Sequence, residues 1–588
     1  MKKNQKRQLK TLLEKLHVVA SWLLLFNLIA FGWPGRALAA SGGGMLSYGE
    51  NAGSIGEKYR TWTPSTYSIQ NSGPTITCSS GDPTTNWTVL KSSPSNVGVY
   101  VLAVMYTCAT PGTYFVQVWS YSGGSWTSEW SDSPSSGQMS YRGVDLAFEN
   151  VTGNVLVTYL LAADTDRIYY QEGSWNGSDY NWSANSFTDA TIGNFRWLRL
   201  VNKLNFDQML LAATGDDGTN QVNAWIWDAA DPGAFGNEGG NGGWGLINGT
   251  ADNMDAAYET SSGNGLVAWG VSASPYYRYA TWTQGTTTWS DDLAGPGLPG
   301  STDTAIRNFA LAANPNPSSD RIAMGAIENT TSDDIQSGFW NGATDAWANT
   351  AELDTAAYSP ATNMGRGIDV AYAGTTNNSI LVFSDAAANV VDWARSVGEA
   401  AAFTVQADYD PTPTFNTKEV EALVPDASGS NVIQLVFLDT DMDLVSFYYD
   451  DDTPGWAEAV PSPNDLDADN SATTNPVKEN FMFAWESVYK VPTLTEILFL
   501  ALIGCIVFLG IKTGAIKIRK NGSVDPKDIS AQGRSSFGRQ EPPIKQLPIE
   551  NSRRNNHQTH YINQKSEIRN PKRVVSIDGI SRREINKN

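Results

Sequence analysis

Five cations recur along the chain at a regular interval. Arg142, Arg196, Arg307, Arg366 and Lys418 are separated by 54, 111, 59 and 52 residues, one or two steps of a period near 55. A guanidinium presents a planar fork of donors that matches a carboxylate or a sulfate. Tyr141 and Trp197 flank these positions and, with Phe195 and Phe309, offer ring faces on which a sugar can stack. The chemistry suggested is recognition of an acidic ligand: a carboxylated sugar, a sulfated glycan or a peptide carboxylate. The structural alternative is that each cation pairs with a local acid, such as Asp145 or Asp369, and fixes the start of its strand.

A second set carries metal-ligating chemistry. Asp439, Asp441 and Asp443 have D-x-D-x-D spacing with Asp450 at the twelfth position, as in calcium loops, but no glycine stands at the sixth. Calcium is the one cofactor considered; otherwise none is expected, and solvated turn acids are the simpler reading. The three histidines, His17, His557 and His560, lie near the chain ends, away from the repeats. That argues against a Ser-His-Asp triad, a Cys-His pair or a His-ligated zinc site. Cys78 and Cys108 can form a disulfide if their Cα atoms come within ~7 Å, two free thiols being the alternative; Cys505 lies in a separate apolar run.

These residues need a scaffold that brings distant segments to one place, and a repeat supplies it. Arg142–Trp182 reads as two apolar strands around a Gly/Asn turn, a polar turn, an aromatic strand and a turn leading to Trp. The pattern returns from Met254 to Trp289 and from Arg366 to Asp385. First-strand centres at Leu90, Asp145, Leu200, Asp255, Ala310, Asp369 and Glu421 give separations of 55, 55, 55, 55, 59 and 52. A period of ~40–55 residues with four short strands marks propeller blades. The expectation is an all-β propeller of about seven four-stranded blades over residues 74–461, with six or eight as alternatives. Trp130, Trp182, Trp244, Trp289, Trp347 and Trp456 fall near the fourth strands, where large rings fill the widening gap between blades. Residues 40–73 read as a linker holding a ring-closing strand near Glu57–Ser68, and residues 462–490 as an acidic linker.

A propeller with cations from several blades at one channel mouth is similar to sialidase-like propellers, in which arginines hold a substrate carboxylate. That resemblance implies a site at Arg142, Arg196, Arg307, Arg366 and Lys418. The chain has no good S-x-D-x-G-x-x-W box and no clear Tyr–Glu pair, so binding is favoured over hydrolysis.

The net charge of −21 divides into compartments: +6 over residues 1–40, −36 over 41–490 and +10 over 512–588. Residues 1–39 read as a signal peptide: a basic start, an apolar run and Ala37-Leu38-Ala39. Residues 491–511 read as one membrane-spanning helix, with Lys512, Lys517, Arg519 and Lys520 on the cytoplasmic side. Val491-Pro492-Thr493-Leu494-Thr495-Glu496, the apolar run and these basics resemble the IPTL/PEP-type sorting segments of bacterial surface proteins, although about 70 residues follow. The tail 512–588 has no hydrophobic period and reads as disordered.

The resulting expectation is a membrane-anchored cell-surface propeller that binds a glycan or acidic ligand at its channel mouth without catalysis. The alternatives are a carbohydrate-active enzyme on the same scaffold and a structural or adhesive surface protein. The expected partners are the membrane, through one helix, and an acidic glycan or surface protein. Strong negative charge excludes nucleic acid for the exported region.

Overall fold

The computed structural model describes residues 43–49, 56–63, 65–76, 78, 83–108, 114–132, 141–161, 164–189, 194–216, 220–228, 235, 244–245, 252–271, 277–299, 306–328, 334–354, 366–374, 376–384, 392–399, 401–407, 409, 417–423, 431–439, 444–458, 466 and 481–486. The chain divides after Val491 into two units, and every described residue belongs to the first. The expected signal peptide, the span 491–511 and the tail 512–588 lie outside the described residues. Among the described residues no helix is long and apolar enough to cross a membrane.

Eight antiparallel sheets make a β-propeller. Blades 1 to 7 occupy residues 84–132, 144–189, 195–228, 254–294, 306–354, 368–405 and 417–458. Each runs outward from an inner strand, and the inner strands pack in chain order around a central channel. The expected seven is therefore one too few. The eighth blade escapes a repeat search because it is split between distant segments. Its inner strand, Phe481–Trp485, lies in the span read as an acidic linker and pairs with Gly44–Gly49, which pairs with Gly56–Thr63. Thr66–Tyr67 and Asn71–Thr75 complete its outer edge. The inner strand packs against those of blades 1 and 7, so the two segments close the ring jointly. Closure leaves no open blade face to solvent, which an unclosed stack would expose.

The true repeat is two blades, not one. In blades 2 and 4 the inner-strand aspartates Asp145 and Asp255 reach into the next blade, accepting the backbone N–H of Leu200 and of Leu311, each at 2.9 Å. Closer to the strand starts, Leu198 N–H bonds the Arg142 carbonyl at 3.1 Å, Phe309 the Asp252 carbonyl at 3.3 Å, and Val420 the Arg366 carbonyl at 2.9 Å. At the far ends, Asp207 accepts the N–H groups of Val151 and Thr152, and Asp320 those of Ser261 and Ser262. There too, Trp227 Nε1 donates to Glu149 at 3.0 Å and Trp340 Nε1 to Glu259 at 2.6 Å. Blades 2–3 and 4–5 are thus fastened at three heights. Burial drives up both glutamates' pKa, and the hydrogen bonds from Thr152 and Trp227, and from Ser262 and Trp340, oppose the rise.

These bonds correct the phase of the repeat. Leu311, not Ala310, is the equivalent of Leu200, and Ala422, not Glu421, follows from the same strand pairing. The apolar run Phe309-Ala310-Leu311-Ala312 has no polar marker to set its phase, which hid the one-residue shift.

Aromatic rings fill the space between blades. Trp130 of blade 1 meets Trp182 of blade 2 at 5.8 Å, Trp347 of blade 5 meets Tyr277 of blade 4 at 5.4 Å, and Trp456 of blade 7 meets Trp393 of blade 6 at 5.7 Å. Such rings bury ~150–250 Å² each. Cys78 and Cys108 form a disulfide, with Cα atoms 5.7 Å apart, that ties the approach to blade 1 to the end of its second strand.

Candidate functional site

The inner strands enclose a cavity of about 270 Å³ in the channel. Its polar lining combines Arg142, Arg199 and Arg366 with Asp145, Asp255 and Asp369, from blades 2, 3, 4 and 6; Lys91 of blade 1 adds a further cation. The same strands place all of them. Asp145 and Asp255 each spend one oxygen on the next blade and the other on the following N–H of their own strand, Leu146 and Ala256 at 2.9 Å. Both carboxylates are thereby fixed in place and serve as anchors for the arginines.

Arg142 Nη2 donates to Asp145 Oδ1 at 3.1 Å. Arg366 of blade 6 reaches blade 4, with Nε on Asp252 at 3.1 Å and Nη1 on Asp255 at 2.8 Å. Arg199 of blade 3 approaches the same two acids, bonding Asp252 through Nη2 and standing 3.8 Å from Asp255 through Nε. Arg199 is only 3% exposed and Asp252 1%. Burying ions is costly unless they are paired with good geometry, and removing one partner of such a pair typically costs ~3–5 kcal/mol. The guanidinium planes are therefore held rigidly.

The expected site residues divide into two groups. Arg142 and Arg366 line the cavity. Their pairing with acids realises the structural alternative in part: Arg142 takes the local Asp145, whereas Arg366 takes acids of another blade. Arg196 does not line the cavity; its guanidinium lies over the Tyr141 ring at 5.1 Å. Arg307 is partly exposed in the inner strand of blade 5, also outside the lining. Lys418 belongs to the strand Thr417–Leu423, and its side chain lies outside the described residues. Trp197 is fully buried, edge-on to Trp87 at 5.4 Å and to Tyr141 at 5.8 Å, so it offers no face to a ligand. Phe195 and Phe309 are buried as well. Tyr141 is partly buried beneath Arg196.

Of the candidate calcium ligands, Asp441, Asp443 and the Asp439 side chain lie outside the described residues. Asp450 ends the strand Leu444–Asp450 and braces the turn that follows, accepting Asp452 N–H at 3.0 Å and Thr453 Oγ1–H at 2.8 Å. Among the described residues no group of three or more His, Cys, Asp and Glu is placed to hold a metal.

Sequence reasoning missed Arg199 and Asp252. Both carry a readable signal. Arg199 is a charge between Leu198 and Leu200, where an apolar strand tolerates one only with a partner. Asp252 stands three residues before Asp255, the phase held by Arg142 before Asp145 and Arg366 before Asp369. An acid at the position its counterparts give to arginine is their complement.

No protein-family model matches the chain, and no curated protein matches it in sequence. Solved structures resemble it remotely. The AofleA protein of Arthrobotrys oligospora is 12% identical over 60% of this chain and 92% of its own, with a TM-score of 0.32. The polysaccharide lyase Uly1 is 8% identical over 63% and 88%, with a TM-score of 0.36. The Hadza microbial sialidase Hz136 is 10% identical over 58% and 74%, with a TM-score of 0.31.

Proposed function

We propose that this chain is an exported, membrane-anchored surface propeller that binds, without turning over, a small ligand bearing a carboxylate or sulfate. An acidic sugar residue is the leading candidate. The observation that carries this reading is the convergence of Arg142, Arg199 and Arg366, from three blades, on one channel cavity of about 270 Å³. Small-molecule sites typically span ~300–1,000 Å³, so the volume favours a single sugar residue over an oligosaccharide. The fork geometry of arginine favours carboxylate or sulfate over a neutral ligand. Asp145 and Asp255 support binding over hydrolysis, because both already accept backbone N–H groups and guanidinium donors. The basic-apolar start ending at Ala37-Leu38-Ala39 and the apolar run 497–511 before Lys512 support export and anchorage.

A glycan array with the full chain tests the reading. Uronate- or sulfate-bearing glycans are expected to bind, and the Arg142→Ala, Arg366→Ala double variant to lose that binding while remaining folded. Binding of neutral glycans alone, or unchanged binding by the double variant, rejects it. Turnover of acidic oligosaccharides would replace it with a carbohydrate-active enzyme.

A further inference from the structure

The inner strands of the odd blades share an irregularity that the even blades lack. In blade 1 the register with the second strand breaks between Thr85 and Trp87, and in blade 3 between Phe195 and Leu198. In blade 5 it breaks between Ile306 and Asn308, and in blade 7 between Thr417 and Glu419. The inner strands of blades 2, 4, 6 and 8 pair with their neighbours without a break. The residues set off by the four bulges are Asn86, Arg196 (with Trp197), Arg307 and Lys418. Three of the four equivalent positions are cations, from a region 74–461 that holds only twelve Lys and Arg.

The bulge has a structural purpose that does not ask for a cation. Two residues beyond the bulged position, Leu198, Phe309 and Val420 turn their N–H groups from their own ladder to the preceding blade. Backbone alone makes that link, and Asn86 shows that the slot accepts an uncharged residue. A bulge also re-aims its side chain, which is why bulges gather at sheet edges and beside binding sites. Arg196 and Arg307 are partly exposed, and Arg196 packs over Tyr141, the neighbour of the cavity residue Arg142. The bulges therefore set cations of alternate blades around the rim from which the inner strands start.

We propose that this rim is a second, polyvalent anion site, separate from the channel cavity, in which Arg196 and Arg307 engage successive charges of an acidic polysaccharide. Cations repeated from alternate blades suit a ligand whose charge also repeats. Linked weak contacts raise avidity 10²–10⁴-fold over a single one, as an order of magnitude. A lone small anion gains nothing from the repetition, which distinguishes this rim from the channel. The site does not depend on what the channel holds.

The test uses the full chain in detergent, with dextran sulfate as probe, neutral dextran as control and free glucuronate as monomer. Arg196→Ser with Arg307→Ser is expected to weaken dextran sulfate binding at least tenfold and to leave any glucuronate binding unchanged. Arg167→Ser with Arg278→Ser removes the same charge from third strands and is expected to keep wild-type affinity. Because Arg196 packs on Tyr141, the pair Arg196→Gln and Arg307→Gln repeats the measurement with most of the side-chain stems kept. Wild-type affinity in both rim pairs, or an equal loss in the third-strand pair, overturns the proposal.

Discussion

The Asp255 carboxylate accepts the backbone N–H of Leu311, one blade away, at 2.9 Å, while Arg366 holds the same oxygen from a third blade at 2.8 Å. One side chain thus fastens blade 4 to blade 5 and orients a guanidinium of blade 6 in the channel. Asp255→Asn replaces an oxygen by an amide nitrogen facing donors and leaves the buried Arg199 and the half-buried Arg366 short of a counter-charge. A loss of about 3–5 kcal/mol is expected, read as a shift of the denaturation midpoint. Asp450→Asn, at the end of a strand, is expected to change stability by about 0.5 kcal/mol or less. Equal losses in the two variants would show that Asp255 is no fastener.

Closure by Phe481–Trp485 can be weakened at one residue. Phe483 is buried, packs against Trp485 at 5.1 Å and faces Tyr67 at 6.4 Å, joining the two distant segments of blade 8. Phe483→Ala is expected to cost about 3–5 kcal/mol, checked by urea unfolding with an unchanged slope. A midpoint like that of the wild type would mean that blade 8 does not close the ring cooperatively.

The Cys78–Cys108 bridge closes a loop with a sequence separation of 30. A bridge over a loop of this size stabilises by about 2–4 kcal/mol. The Cys78→Ser, Cys108→Ser pair is therefore expected to melt lower, and added reductant to lower the wild type to the same temperature. Identical melting curves in oxidised and reduced samples would show that the bridge contributes nothing.

Glu129 of blade 1 accepts Trp182 Nε1–H of blade 2 at 2.9 Å, and burial pushes its pKa from 4.5 up to about 7, with hydrogen bonds from Ser120 and Trp182 opposing the rise. Between these two values the native state holds a proton that the unfolded chain has released, so stability falls as pH rises through the window. Glu149 and Glu259 shift in the same direction, also through burial. Glu129→Gln is expected to flatten part of the slope between pH 4.5 and 7 in melting experiments. An unaltered slope would assign the pH dependence to other groups.

The propeller was legible because each blade repeats an alternating apolar strand, a glycine or asparagine turn and a second apolar strand, a local pattern. Blade 8 was not, since Gly44–Gly49 and Phe481–Trp485 are joined only in space. The two-blade period was hidden for a related reason. It resides in Asp145 and Asp255, which alternate in the sequence with Leu90, Leu200 and Leu311 but whose bonds to N–H groups of the next blade are visible only in space. Arg142 and Arg366 were found by phase, and so were Arg196, Arg307 and Lys418. Separating the first group from the second required the bulges, which strand pairing reveals and residue type does not.

The claim that the channel arginines recognise an anion is tested most directly by calorimetric titration of the full chain with glucuronic acid and with its methyl ester. Esterification replaces the ionised carboxylate by an uncharged methyl ester and leaves the rest of the sugar unchanged. The account predicts that the acid binds, that the ester binds at least tenfold more weakly, and that Arg366→Ala abolishes the difference. Equal affinity for acid and ester, or no heat from either, would contradict it.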